Sequence, residues 1–600
     1  MKISRIEIIN FRNFAHLDIQ LSGNTVIVGE NKIGKSNLLH ALRLVLDPSL
    51  PDSARQLRDE DFWDGLPRPL TADDRVMIAV ELTDFEDRED QTAVLADHLV
   101  QSEPMVARLT YVYEPKAEAG EGPFREADYE FFIFGGARPE SRIGYDVRRR
   151  IPLDVLPALR DAEGDLANWR RSPLRPLLDK AASGMDRDAL QGIVGDIAEA
   201  TNAVTETEEI KALGERISKR IKEIVGGGHA IETLFGFSPT DPERLIRSLR
   251  LFIDGGRRSI SEASLGSANV LYLTLKELEL EELVTDGSRS HTFLAIEEPE
   301  AHLHPHLQRL VYREFLRARR HQEGGGKGAE EYAEARTVIL TTHSPHIASV
   351  SPLRSLVLLR KSKDRTSTEG VSAAEVSLED AEERDLERYL DVTRGEILFA
   401  KGVILVEGDA ELFLVPILAR LRGIDLDELG ISVCSVSGTN FAPYVKLLGK
   451  DGLRVPFAVV TDRDPDGSTP SLGERRVLRL LAEIAGAKVL EGKSLKNQLE
   501  LGRRQGLVIA DHCLEVDLFR CGRHKSMTKV LAELAESQAA RKRAIGWAQS
   551  PETLAAEELL KDITTIGKGR FAQRLATRIR GEPCPTYIAD ALNYVAERCR

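Results

Sequence analysis

The sequence predicts an α/β protein in which a first α/β unit, interrupted by a helical arm, is followed by a second α/β domain. Three observations carry that reading. The apolar strand Thr25-Val26-Ile27-Val28 runs into Gly29-Glu30-Asn31-Lys32-Ile33-Gly34-Lys35-Ser36 and then into a helical stretch, 37–46. Helical periodicity fills residues 151–245 between strand-rich flanks, and a new apolar strand, Gly402-Val403-Ile404-Leu405-Val406, opens after a charged, Ser/Thr-rich segment.

Taken in order, residues 1–50 give two alternating strands, 3–9 and 16–21, joined at Phe11-Arg12-Asn13-Phe14, then the glycine-bracketed turn and its helix. Strand patterns at 75–83, 105–113 and 129–134 make an antiparallel subdomain. From Pro152 the pattern turns helical through 153–160, 173–182, 186–199 and 208–225, and stops at Gly226-Gly227-Gly228. Strands resume at 249–254, and Gly324-Gly325-Gly326-Lys327-Gly328 reads as a loop. The expected division is 1–150 and 246–360 for the first unit, 151–245 for the inserted arm, 361–395 for a linker and 396–600 for the second domain.

Composition narrows the classes. At 42% hydrophobic and 30% charged over 600 residues the chain is globular, with no run of the ~20 apolar residues a membrane span needs. The N-terminus alternates like a strand and lacks a signal-peptide block, so a cytoplasmic protein with no membrane partner is expected. Five cysteines without a CxxC pair fit reduced thiols. A net charge of -14 speaks against indiscriminate nucleic-acid binding but permits a locally basic channel.

The string from Gly29 to Ser36 satisfies GxxxxGK[ST]. Its glycines let backbone N–H groups close round phosphates, Lys35 reaches the β/γ-phosphates, and the Ser36 hydroxyl can ligate Mg²⁺. The strand 292–296 ends in Glu297-Glu298, one acid suited to organising Mg²⁺ and the other to orienting water. Another strand, 338–342, ends at His343, placed to sense a γ-phosphate. Ser264-Leu265-Gly266 heads an apolar helix, suited to offering N–H groups to an anion. His302, His304, His306 and His346 invite a zinc reading, but no Cys accompanies them, and a structural or interfacial role is expected.

Glu407 ends the strand 402–406, with Glu411 one helical turn later, and Asp462-Arg463-Asp464 ends the strand 457–461. Taken singly each is ordinary; together they place acids at the C-terminal ends of neighbouring parallel strands, where open α/β sheets put their sites. Glu515 follows another apolar strand, and Lys568 sits in the small-residue loop Gly567-Lys568-Gly569.

The order of these motifs resembles the ABC-type ATPase heads of the chromosome-maintenance and recombination-repair proteins. Lys35 and Ser36 match Walker A, Ser264 and Gly266 the signature, Glu297 and Glu298 Walker B and its catalytic glutamate, and His343 the switch histidine. That resemblance implies bound ATP with one Mg²⁺, sandwiched between two heads of a homodimer or higher oligomer. Glu297 stands where Asp is usual, which implies slow hydrolysis. The second domain resembles a Toprim domain. The whole chain is similar to the OLD (overcoming lysogenization defect) nucleases, a family that includes the nuclease subunit of Gabija antiphage systems. The resemblance implies that Glu407, Glu411, Asp462, Asp464 and Glu515 hold or support two Mg²⁺ or Mn²⁺ ions, and that Lys568 stabilises the transition-state phosphate. It implies DNA as substrate, an ATP-coupled endonuclease or nickase in antiphage defence, and leaves room for a UvrD-like helicase partner. The alternative is a non-nucleolytic ATP-driven DNA clamp. DNA contact is expected from basic runs such as Arg148-Arg149-Arg150, Lys493 with Lys496, Arg503-Arg504 and Arg541-Lys542-Arg543.

Overall fold

The structure, a computed structural model, describes residues 1–71, 73–117, 124–158, 162–168, 172–225, 233, 235, 241–259, 262–316, 332–390, 394–581 and 583–600. Both glycine runs named above, 226–228 and 324–328, lie outside these residues. The chain divides into two compact units. The first comprises Met1–Ala158, Ser290–Glu323 and Ala333–Arg600, the second Leu159–Arg289 and Gly324–Tyr332.

In the first unit, the strands β1 (Lys2–Phe11), β2 (Phe14–Gln20), β4 (Val76–Thr83), β5 (Leu99–Ser102), β6 (Met105–Pro115) and β7 (Tyr129–Gly135) form an antiparallel sheet. Its path is β2-β1-β4-β6-β5, with β7 also on β6. Alternation along β2 buries Phe14, Leu17 and Ile19 and exposes residues between them, as a half-buried strand requires. A second sheet has the order β14-β13-β3-β12-β11-β8, built from β3 (Thr25–Gly29), β8 (Leu153–Leu156), β11 (Thr292–Glu297), β12 (Arg336–Thr342), β13 (Leu356–Lys361) and β14 (Thr368–Ser372). All its pairings are parallel except β13 with β14. β3 is buried at all five positions, the near-continuous apolar strand of a sheet covered on both faces.

Two sequence expectations are corrected here. Residues 153–156, expected as helix, are strand β8, pairing with Phe293–Ile296 of β11. Four residues carry too little periodicity to separate helix from strand, and the open edge of β11 decides. The stretch 361–395, expected as a linker, carries β14 and a helix, Asp380–Tyr389, whose Glu382 binds Lys446 at 2.8 Å.

The C-terminal part of the first unit has a parallel sheet, β16-β15-β17-β18, from β15 (Gly402–Val406), β16 (Ile431–Ser435), β17 (Phe457–Thr461) and β18 (Leu507–Ile509). β15 and β17 are buried throughout, and helices including Asp409–Leu421, Leu514–Leu518 and Thr586–Cys599 contribute to one apolar core with them. Because the strands are parallel, their C-terminal ends share one edge.

Among the described residues, the regular structure of the second unit is helical apart from the short pair β9 (Phe252–Ile253) and β10 (Arg258–Ser259). Its helices include Leu174–Ser183, Arg187–Thr205, Glu208–Val225 and Leu265–Thr285. Leu166 and Leu275 centre a small apolar cluster. Among the described residues no helix is long and apolar enough to cross a membrane.

Candidate functional site

The phosphate-binding turn is held from behind by the β1–β2 turn. Asn13 Nδ2 donates to the Ile33 carbonyl at 2.8 Å, Asn37 Nδ2 donates to Asn13 Oδ1 at 2.6 Å, and Arg12 reaches Asn37 Oδ1 at 2.9 Å and Asp61 Oδ1 at 2.8 Å. Gly34 caps the helix Lys35–Leu46 at φ 105, and a Cβ there would lie 2.1 Å from the Asn13 amide nitrogen. Only glycine meets both demands. Gly29 closes β3, Asn31 lies in the turn, and Ser36 is the second residue of the helix. Lys35 Nζ donates to the carbonyls of Gly29 and Glu30 at 3.1 and 3.0 Å. Burial lowers its pKa to about 8, against the pull of Glu298 and Glu300.

Glu297 ends β11, and Glu298 follows at φ 40, its N–H donating to the Thr341 carbonyl at 2.9 Å. Its carboxylate stands 3.4 Å from His343 Nε2. Burial, then the charge of Lys35, lowers the His343 pKa, so the ring is neutral near pH 7. A residue the sequence reading passed over organises this corner. Glu300 accepts from Thr342 Oγ1 at 2.9 Å and from the His343 N–H at 2.7 Å, fixing the backbone at His343. Its signal was the third acid of Glu297-Glu298-Pro299-Glu300. The structure thus brings Lys35, Glu298, Glu300 and His343 within one electrostatic group. Ser264 and Gly266 belong to the second unit; Ser264 Oγ caps the helix Leu265–Thr285 by accepting from Ser267 N at 3.2 Å.

The second group lies at the C-terminal edge of the parallel sheet. Glu407 leaves β15, and its Oε1 accepts from Thr461 Oγ1 at 2.5 Å, the Asp462 N–H at 2.9 Å and Arg476 at 2.8 Å. Arg476 also reaches Asp464 Oδ2 at 3.0 Å. Glu411 is buried in the first turn of the helix Asp409–Leu421. Burial, with the nearby charges of Glu515 and Glu407, raises its pKa to about 7. Burial and the charges of Glu407, Glu411 and Glu515 raise Asp462 to about 8. Glu515 pairs with Lys568 at 3.5 Å, while its Oε2 is buried without a hydrogen-bond partner.

One local setting differs from expectation. Glu515 follows β18 as expected, in the first turn of the helix Leu514–Leu518, whereas Lys568 is the first residue of the helix Lys568–Ala576 rather than part of a loop. Glycine at 567, with φ 95, turns the chain so that the helix starts at the lysine. Thr461 and Arg476 were missed: a strand-end threonine and a helical arginine carry no motif.

Among the described residues no group of three His, Cys, Asp or Glu side chains is closed up enough to hold an ion. Glu407 and Asp464 are turned to Arg476, and Glu515 to Lys568. The donor chemistry nevertheless suits a hard cation: burial and neighbouring carboxylates raise the pKa of Glu411 and Asp462, and one buried carboxylate oxygen has no partner. The histidines give no such set; the rings of His304 and His306 stack with centroids 5.5 Å apart.

Some of the expected basic runs are held internally. Arg150 binds Ser290 Oγ at 3.0 Å, Arg503 pairs with Asp590 at 2.7 Å, and Arg543 pairs with the buried Asp562, its Nε at 2.9 Å. Lys401, just before β15, stands 3.4 Å from Glu30 in the phosphate-binding turn, at the end of the strand opposite Glu407.

Residues 25–349 match a family model described as AAA domain, putative AbiEii toxin, Type IV TA system. Residues 398–464 match one described as Overcoming lysogenization defect protein-like, TOPRIM domain. The OLD nuclease of Thermus scotoductus is 28% identical over 481 residues, 77% of this chain and 82% of that protein. Endonuclease GajA of Bacillus cereus is 23% identical over 553 residues, 84% of each chain. Among solved structures, the C-terminal region of the Burkholderia pseudomallei OLD protein is 44% identical and covers 34% of this chain and 100% of that one, with a TM-score of 0.32.

Proposed function

Since the chain belongs to the OLD nuclease family, an AAA-type ATPase domain followed by an OLD-like Toprim domain, we propose that it cuts DNA with divalent metal at the Toprim acids under control of ATP. The observation that carries the reading is the convergence of Glu407, Glu411, Asp462 and Glu515 at one sheet edge, where burial and the neighbouring acids hold Glu411 and Asp462 up, with Lys568 beside them. Glu407, Glu411, Asp462, Asp464 and Glu515 would hold or support Mg²⁺ or Mn²⁺, which when bound supplies Lewis-acid stabilisation of attacking and leaving oxygens. The protein's own residues do the rest. The Thr461 hydroxyl and the Asp462 N–H orient Glu407, and the Lys568 ammonium at a helix start offers positive charge to a phosphate.

In the ATPase domain, Lys35 and Ser36 take the phosphates and Mg²⁺, Glu297 supports the metal, Glu298 orients water, and His343 reads the γ-phosphate. Ser264 and Gly266 act across a homodimer on a partner's nucleotide. The Glu30–Lys401 pair connects the phosphate-binding turn to the start of β15. That the relatives are an OLD nuclease and an endonuclease favours cutting over the clamp alternative.

The test is cleavage of supercoiled plasmid by purified protein with Mg²⁺ or Mn²⁺, with and without ATP, beside Asp462→Ala. Metal-dependent nicking or linearisation lost in the variant supports the reading. A variant that still cuts overturns the site, and a wild type that hydrolyses ATP without cutting overturns the function.

A further inference from the structure

We propose that Arg476 is a displaceable counter-ion that holds the place between Glu407 and Asp464 until a divalent cation takes it. The inference rests on the metal reading above and concerns a residue that reading does not use.

Arg476 lies in the helix Leu472–Ala485, and its side chain is only 16% exposed. Its guanidinium spans acids from two loops: one nitrogen is 2.8 Å from Glu407 Oε1 and also bonds Thr461 Oγ1, and the other is 3.0 Å from Asp464 Oδ2. A planar, permanently charged fork is suited to spanning two carboxylates, and it cannot leave by losing a proton. It can only move.

Two facts make it a competitor for metal rather than a support. Glu407 Oε1 already accepts from Thr461, from the Asp462 N–H and from Arg476, so a cation at that oxygen must displace a donor. The Thr461 and Asp462 donors are built into the end of β17, which leaves the side chain arriving from the neighbouring helix as the one free to withdraw. A guanidinium and a divalent cation sharing these carboxylates also repel each other in a half-buried site, where screening is weak.

Mn²⁺ binding to the nucleotide-free, full-length protein, read from the free-ion electron paramagnetic resonance signal, tests this in wild type, Arg476→Gln, Arg476→Lys and Asp462→Asn. Removal of the competing pair should tighten Mn²⁺ binding about fivefold in Arg476→Gln, and less in Arg476→Lys, which keeps the charge but loses the span. Without metal, Arg476→Gln should melt below wild type, and saturating Mn²⁺ should close that gap. A scaffolding arginine gives the opposite pattern: unchanged or weaker Mn²⁺ binding and a melting deficit that metal does not repair. Either result overturns the proposal while leaving the metal reading intact. Wild type that binds no Mn²⁺, or binding that Asp462→Asn fails to weaken, overturns both.

Discussion

The backbone N–H of Asp462 donates to Glu407 Oε1 across 2.9 Å, tying the loops that follow two neighbouring parallel strands. Through this bond the position of one acid is set by the other. Their charges are coupled as well, since burial and then the charge of Glu407 hold the Asp462 carboxyl up.

That coupling predicts a pH dependence of stability. Burial first, and then neighbouring acids, raise Glu411 to about 7 and Asp462 to about 8. For a carboxyl raised on folding, the folded state binds more protons than the unfolded state, so its contribution is fully present below the ordinary carboxyl range and is lost as pH rises through 7 and 8. The melting temperature of the metal-free protein should therefore fall from pH 5 to pH 8.5. Asp462→Asn should flatten the fall, and Mn²⁺ should restore the midpoint at high pH. A midpoint that rises over this range in scanning calorimetry contradicts the account.

Lys35 gives a second proton-linked expectation. Burial holds its ammonium at about 8, and phosphate oxygens beside it would favour the charged form. ATP binding at pH 8.5 should take up a proton, visible as a binding enthalpy that varies with the ionisation enthalpy of the buffer. At pH 6.5 the variation should vanish. Equal buffer dependence at both values would remove Lys35 as its source.

Glu298 stands 3.4 Å from His343 at the end of β11, and the proposed function gives it the task of orienting water. Glu298→Gln should lower ATP turnover about 100-fold while leaving ATP binding within a few-fold of wild type. An unchanged steady-state rate would assign the water to another residue.

Gly473 supports the nuclease loop by having no side chain. A Cβ there would lie 2.1 Å from the Asp462 carbonyl oxygen, so Gly473→Ala must displace the loop that carries Asp462 or the helix Leu472–Ala485 packed against it. We expect a loss of about 1–3 kcal/mol in stability and loss of plasmid cleavage, with ATP binding retained. Full cleavage by this variant would show that the loop tolerates the shift.

Much of this arrangement was legible in the chain because it is local. Gly29 to Ser36, Glu297-Glu298, Ser264-Leu265-Gly266 and Glu407 with Asp462 are each set by a strand or helix that its own periodicity announces. Residues whose role comes only from a partner far along the chain were not legible. Glu300 holds the backbone of His343, Asn13 holds the turn at Ile33, and Arg476 reaches back to Glu407; none belongs to a spacing pattern. Residues 153–156 read as helix for the same reason, since what makes them a strand is the edge of β11.

The sequence by itself therefore determined the α/β class, the phosphate-binding turn, the strand-end acids and their order, because backbone propensity and side-chain period act over a few residues. Tertiary structure alone decided which acids share a charge field, which arginines are consumed internally and which side chain bridges Glu407 to Asp464. Burial and through-space Coulomb interactions set those properties, and both depend on what the fold brings near rather than on what stands next in the chain.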